Sequence, residues 1–223
     1  MKFRIDLKIL FFLVLFYLTG QLNLYLLVMG FALLHELAHL VVGIILGFKF
    51  EEMEVMPFGF WISLKPKIED YKKHILKSNM IDLKYIFVAI AGPLLNLIFV
   101  VIFSNFYYIS EDMLIKSDAI FIFRQMLVYS NFLLFVLNLV PICPLDGGRI
   151  LQSIFRIFTG KRIADKSMNI IANVSIIILT TTGSIAILYF KNIAILLILV
   201  YLWNFVIREN KRFGLNKKIW DAE

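Results

Sequence analysis

What most restricts the fold of this 223-residue chain is a succession of apolar runs, at about 8–22, 24–47, 82–108, 120–141, 167–189 and 191–207. The hydrocarbon core of a bilayer is about 30 Å thick and is crossed by roughly 20 mainly apolar residues in a helix, a requirement several of these runs meet. Backbone polar groups inside hydrocarbon must be satisfied within their own segment, so each run is expected to be an α-helix. Hydrophobic residues make up 61% of the chain and charged residues 17%, and the mean hydropathy of +0.84 is outside the soluble range. The expectation is an all-α polytopic membrane protein with about six transmembrane helices. It forms one domain over 1–223 with no separate soluble domain, and its functional core spans about 24–150. Residues 1–20 begin like a secretory signal, with Lys2, Arg4 and Lys8 before an apolar run. That run ends without a small-x-small cleavage pattern and hydrophobicity resumes at once, so it is read as a retained first span.

The net charge is +7, but its carriers lie between the apolar runs rather than on one basic face. Lys and Arg are dense before the first run, in the 48–81 connection, in the 142–166 connection and in the tail after 207; the intervening connections carry only Lys116 and Lys191. Under the positive-inside rule this alternation places both termini and the two long connections in the cytoplasm of a bacterial-type cell. The lipid bilayer is thus the expected neighbour. No nucleic-acid partner is expected, since no basic and aromatic platform lies outside the spans. The single cysteine, Cys143, cannot form an intrachain disulfide.

The connection 48–81 is not uniformly polar. Between Glu52 and Leu64, alternating β-branched and aromatic residues surround Pro57 and Gly59, which predicts a short membrane-associated β segment between helices 2 and 3. A hairpin there would offer an edge to which an extended peptide could add as a strand; an amphipathic loop resting on the headgroups is the competing reading. Lys65 to Lys77 reads as a solvated basic stretch, and His74 within it as a solvated side chain.

His35-Glu36-Leu37-Ala38-His39 is an H-E-x-x-H motif inside the second apolar run. Histidines four apart share a helix face one turn apart, so both imidazoles can reach one metal ion. Glu36 lies beside that face, where its carboxylate can take a proton from water, the arrangement used in zinc hydrolysis. Such residues at membrane depth cost several kcal/mol unless partnered, which makes them functional candidates; a polar trio bonding to neighbouring helices is the alternative. A catalytic zinc needs a third protein ligand, for which Cys143 and a buried carboxylate are the candidates. The segment Asn138-Leu139-Val140-Pro141-Ile142-Cys143-Pro144-Leu145-Asp146-Gly147-Gly148 must break the helix, because its prolines cannot continue it and its glycines permit close approach. That break presents Asp146 on irregular backbone.

These two motifs, in this order and each on a span, resemble those of the site-2 protease family of intramembrane zinc metalloproteases (M50-type). The resemblance implies one Zn2+ per chain, held by His35, His39 and Asp146, with Glu36 as general base. It extends to Gly92-Pro93-Leu94-Leu95-Asn96, which is similar to the family's G-P-x-x-N element. Asn96 and Asn138 are then candidates for holding the substrate backbone or the oxyanion. The segment Met56 to Leu64, with Phe58 and Gly59, is the candidate for presenting substrate in extended form. Small size, six spans and no inserted PDZ domain look most like the bacterial sporulation branch, which implies processing of a membrane-associated sigma-factor precursor. The implied partners are a membrane-associated or transmembrane protein substrate and membrane regulatory proteins. Two other classes compete. A metal transporter predicts further polar residues lining a path on both sides of the site, and the outer halves of the spans are poor in them. A non-proteolytic zinc-binding membrane protein would have no need of Glu36.

Overall fold

The protein is described here by a computed structural model covering residues 2–57, 59–65, 78–111, 118–190 and 193–220. It is mainly helical, with one small sheet. The elements in chain order are β1 (Lys2–Ile5), α1 (Lys8–Leu18), α2 (Leu22–Ile45), β2 (Lys49–Met56), β3 (Gly59–Lys65), α3 (Ser78–Glu111), α4 (Asp118–Asn138), α5 (Asp146–Thr159), α6 (Lys161–Phe190) and α7 (Ile193–Trp220). Among the described residues, four stretches are long and apolar enough to cross a membrane: Leu22–Ile45, Asn79–Asn105, Ile120–Asn138 and Lys161–Leu188. The other two apolar runs lie in α1 and in the first half of α7. The 11 residues of α1 extend about 16 Å, roughly half the hydrocarbon thickness. The basic tail continues α7 as helix to Trp220.

The chain divides into two units. The first comprises 1–74 and 87–138, the second 75–86 and 139–223.

In the first unit the predicted β segment is a hairpin. Strand β2 pairs antiparallel with β3 from Lys49↔Lys65 to Met56↔Gly59, with an irregularity between Phe50 and Glu52. Strand β1, which the sequence reading took for a basic leader to the first span, pairs in parallel with the other side of β2. Lys-Phe-Arg-Ile alternates charged and apolar residues, a strand period that is easily overlooked over four positions. The Asp6 amide extends the pairing to the Val55 carbonyl at 3.0 Å, and the Asp6 carboxylate then accepts from the Lys8 amide at the start of α1. With β1 and β3 flanking β2, β3 forms one side of the sheet.

Helix α2 is the core of this unit. Ala32, His35, His39 and Gly43 are buried along one face, whereas Leu34, Leu37, Val41 and Ile44 are exposed on the other, the distribution expected of a helix with protein on one side and lipid on the other. On the inner face Phe31 and Ala32 pack with Leu134 of α4, Phe60 of β3, and Phe99 and Phe103 of α3. The hairpin is tied down by the buried Tyr25 hydroxyl, which donates to the Pro57 carbonyl at 2.7 Å while its ring stacks on Phe16 of α1.

In the second unit, Ile142, Ala172, Ile176, Leu202 and Val206 form the core, joining the segment before α5 to α6 and α7. Asn169 and Asn173 of α6 exchange amide hydrogen bonds with Asn210 of α7 at 2.6–3.1 Å. The 142–166 connection contains a helix the sequence reading did not anticipate, α5, which ends at Gly160 and leads directly into α6.

Candidate metal centre

The H-E-x-x-H residues lie near the middle of α2, with His35 and His39 almost wholly buried and Glu36 half-buried. Their ligand atoms all lie within 4.8 Å of one another. The Nε2 atoms of His35 and His39 face each other at 3.1 Å. Two nitrogens held at 2.0–2.1 Å on a tetrahedral zinc are about 3.3 Å apart, so the pair fits one ion with little adjustment. The other ring nitrogens are occupied. His39 Nδ1 meets the Val88 carbonyl at 2.6 Å, and His35 Nδ1 meets the Asn96 side-chain amide at 2.9 Å. A carbonyl can only accept, so His39 carries its proton on Nδ1 and turns the Nε2 lone pair toward its neighbour.

One face of α3 builds this environment. Val88, Gly92 and Asn96 are spaced four apart and all are buried. Pro93 sits inside the helix and cannot donate to the Ala89 carbonyl, which loosens the backbone at this turn. A Cβ at Gly92 would stand 2.5 Å from both Nε2 atoms. The missing side chain at position 92 therefore keeps open the space that both imidazoles face.

Asp146 belongs to the second unit. It is the first residue of α5 and is buried. The sequence reading put it on irregular backbone; instead the irregular part, 139–145, ends just before it, and the carboxylate stands where the partial positive charge of a helix N-terminus favours it. The Gly pair makes this turn fit. A Cβ at Gly147 would collide with the Leu139 carbonyl, and one at Gly148 would lie 2.5 Å from the Cys143 amide nitrogen. The turn is closed by Ile142 N–H to the Val140 carbonyl and Leu145 N–H to the Ile142 carbonyl, both 2.8 Å, and pinned by the fully buried Ile142 side chain. Cys143, the competing third ligand, directs its thiol at Gln152 Oε1 at 3.8 Å. Burial pushes that thiol up to about 11, with Glu209 raising it further against Arg149, Arg156 and Arg212.

Asn96 is fully buried with its amide on His35, and Asn138, half-buried, closes α4. Gly59 opens β3 with φ of 144° beside Ala32 of α2. Phe58 and His74 lie outside the described residues. Two buried polar residues on α4, Ser130 and Asn131, were not singled out from the sequence, because one Ser-Asn pair within an apolar run carries no spacing signal.

Comparison with known proteins bears out the resemblance to M50-type site-2 proteases. Residues 107–182 match the family model of peptidase family M50. Stage IV sporulation protein FB of Bacillus subtilis (strain 168) is 29% identical over 140 residues, which is 62% of this chain and 42% of that protein; the match thus spans less than half the relative's length. The solved structure of the site-2 protease from Methanocaldococcus jannaschii has the same fold, with a TM-score of 0.60, 21% identity, and coverage of 92% of this chain and 88% of that one.

Proposed function

From its likeness to M50-type proteins, we propose that this chain is an intramembrane zinc metalloprotease that hydrolyses a peptide bond in or near the membrane segment of a substrate protein. The observation that carries this reading is the 3.1 Å approach of the two Nε2 atoms, with the Glu36 carboxylate in the same group. His35, His39 and Asp146 would hold the metal. Zinc, when bound there, brings the pKa of a water toward about 7 and polarises the scissile carbonyl. Glu36 takes the proton from the attacking water and returns it to the leaving nitrogen. A substrate helix satisfies its own carbonyls and must unwind before attack; pairing with β3 stabilises the unwound strand. Asn138, Phe58 and Gly59 are the proposed contacts to that strand.

The finer reading is of six spans in a bacterial cell membrane with both termini cytoplasmic. By likeness to a sporulation protein, its substrate is a membrane-associated sigma-factor precursor, handled with membrane regulatory partners. The test is to reconstitute wild type and Glu36→Gln with a membrane-tethered precursor in detergent. The variant should keep zinc and lose cleavage by about 10²-fold or more. Unchanged cleavage would defeat the role given to Glu36, and zinc uptake into vesicles without cleavage would replace the protease with a transporter.

A further inference from the structure

Asn96 is a fully enclosed polar side chain beside the histidines, with 0% of its surface exposed. One end of its amide, placed as Nδ2, lies 2.9 Å from His35 Nδ1, while its Oδ1 is buried without a partner. The two amide atoms are alike in shape, and which one faces a histidine is decided by the hydrogen bonds available. For both Nε2 atoms to offer lone pairs to one ion, both rings must carry their proton on Nδ1. The Val88 carbonyl accepts that proton from His39. At His35 Nδ1 stands the Asn96 amide, which can accept only through oxygen.

We propose that Asn96 is a positioning residue for the metal centre: turned so that Oδ1 accepts from His35 Nδ1–H, it fixes the tautomer that points the Nε2 of His35 at the ion. The exchange brings the carboxamide oxygen onto the Nδ1 proton and turns the NH2 to the position that the oxygen, unpartnered there, had held. Asn96 and Val88 lie two helical turns apart on α3 and act as a matched pair, one acceptor for each imidazole. The proposal rests on the metal site described under the proposed function.

The test measures zinc affinity by chelator competition in Asn96→Leu and Asn96→Asp against wild type, together with the ¹⁵N shifts of His35 in wild type. Removing the acceptor in Asn96→Leu should weaken zinc binding by about 10- to 100-fold, and Asn96→Asp, which retains an acceptor, should restore it. The His35 shifts should report a proton on Nδ1. Wild-type affinity in a folded Asn96→Leu, or a His35 proton on Nε2 in the zinc-loaded protein, overturns the assignment. Should Asn96→Leu fail to fold, the shifts and the Asn96→Asp affinity still decide. A wild type that takes up no zinc overturns the metal site itself, a result distinct from the others.

Discussion

At the residue scale, the site depends on an absent side chain as much as on those present. A methyl group added by Gly92→Ala would stand 2.5 Å from both Nε2 atoms, in the space a shared ion requires. That residue is helical and needs no special φ, so the backbone tolerates alanine; the cost falls on the imidazoles. The variant should fold normally, by circular dichroism and thermal unfolding in detergent, while losing at least about 10-fold in zinc affinity, the scale of loss when a metal site is disturbed beyond its ligands. Cys143 provides a separate check. Its thiol is held up to about 11, chiefly by burial, so little thiolate exists at neutral pH and alkylation should be far slower than for an unfolded thiol. Maleimide labelling followed by mass spectrometry should show the rate climbing only as pH rises well above 8; rapid labelling at pH 7 would contradict the packing described for this segment.

At the scale of elements, the segment 139–148 is a built turn rather than a loose end. Gly147 and Gly148 each lie where a Cβ would meet backbone of residues 139–143, and backbone cannot step aside as a flexible side chain can. Alanine at either position should destabilise the protein by about 1–3 kcal/mol through overpacking, read as a lowered unfolding midpoint, whereas Gly214→Ala, inside a helix and with nothing within 4 Å, should hold the midpoint or raise it slightly. The prolines and paired glycines made this break legible in the sequence, but not the helix that follows. Helix α5 carries Arg149 and Arg156, charges that read in the sequence as a cytoplasmic connection. The part-buried pairing of Arg156 with Asp165, with Gln152 on the same carboxylate, depends on contacts that spacing does not announce. The hairpin β2–β3 was legible from its alternation around Pro57. Strand β1 was not, because four residues of alternating pattern preceding an apolar run also describe a leader. Asn96 was legible as a residue near the site, yet its contact with the His35 ring became visible only once α3 was packed on α2.

At the scale of the whole molecule, the apolar runs dictated helices, which carry most of the architecture, and the proposed direction of each rests on the alternation of Lys and Arg. Span number is harder to read from hydropathy, because α1 is too short to cross unaided and α7 passes from apolar to basic within one helix. The proposed topology predicts that reporters fused at both termini read cytoplasmic; a periplasmic reading at either end would remove a span. At the centre stands the proposal that His35 and His39 hold one zinc together with Asp146. Its most direct test is the zinc content of purified wild type, Glu36→Gln, His39→Ala and Asp146→Ala, each verified as folded. One zinc per chain is expected in the first two and a loss of tightly bound zinc in the last two; an Asp146→Ala protein that holds zinc as firmly as wild type would contradict the shared site.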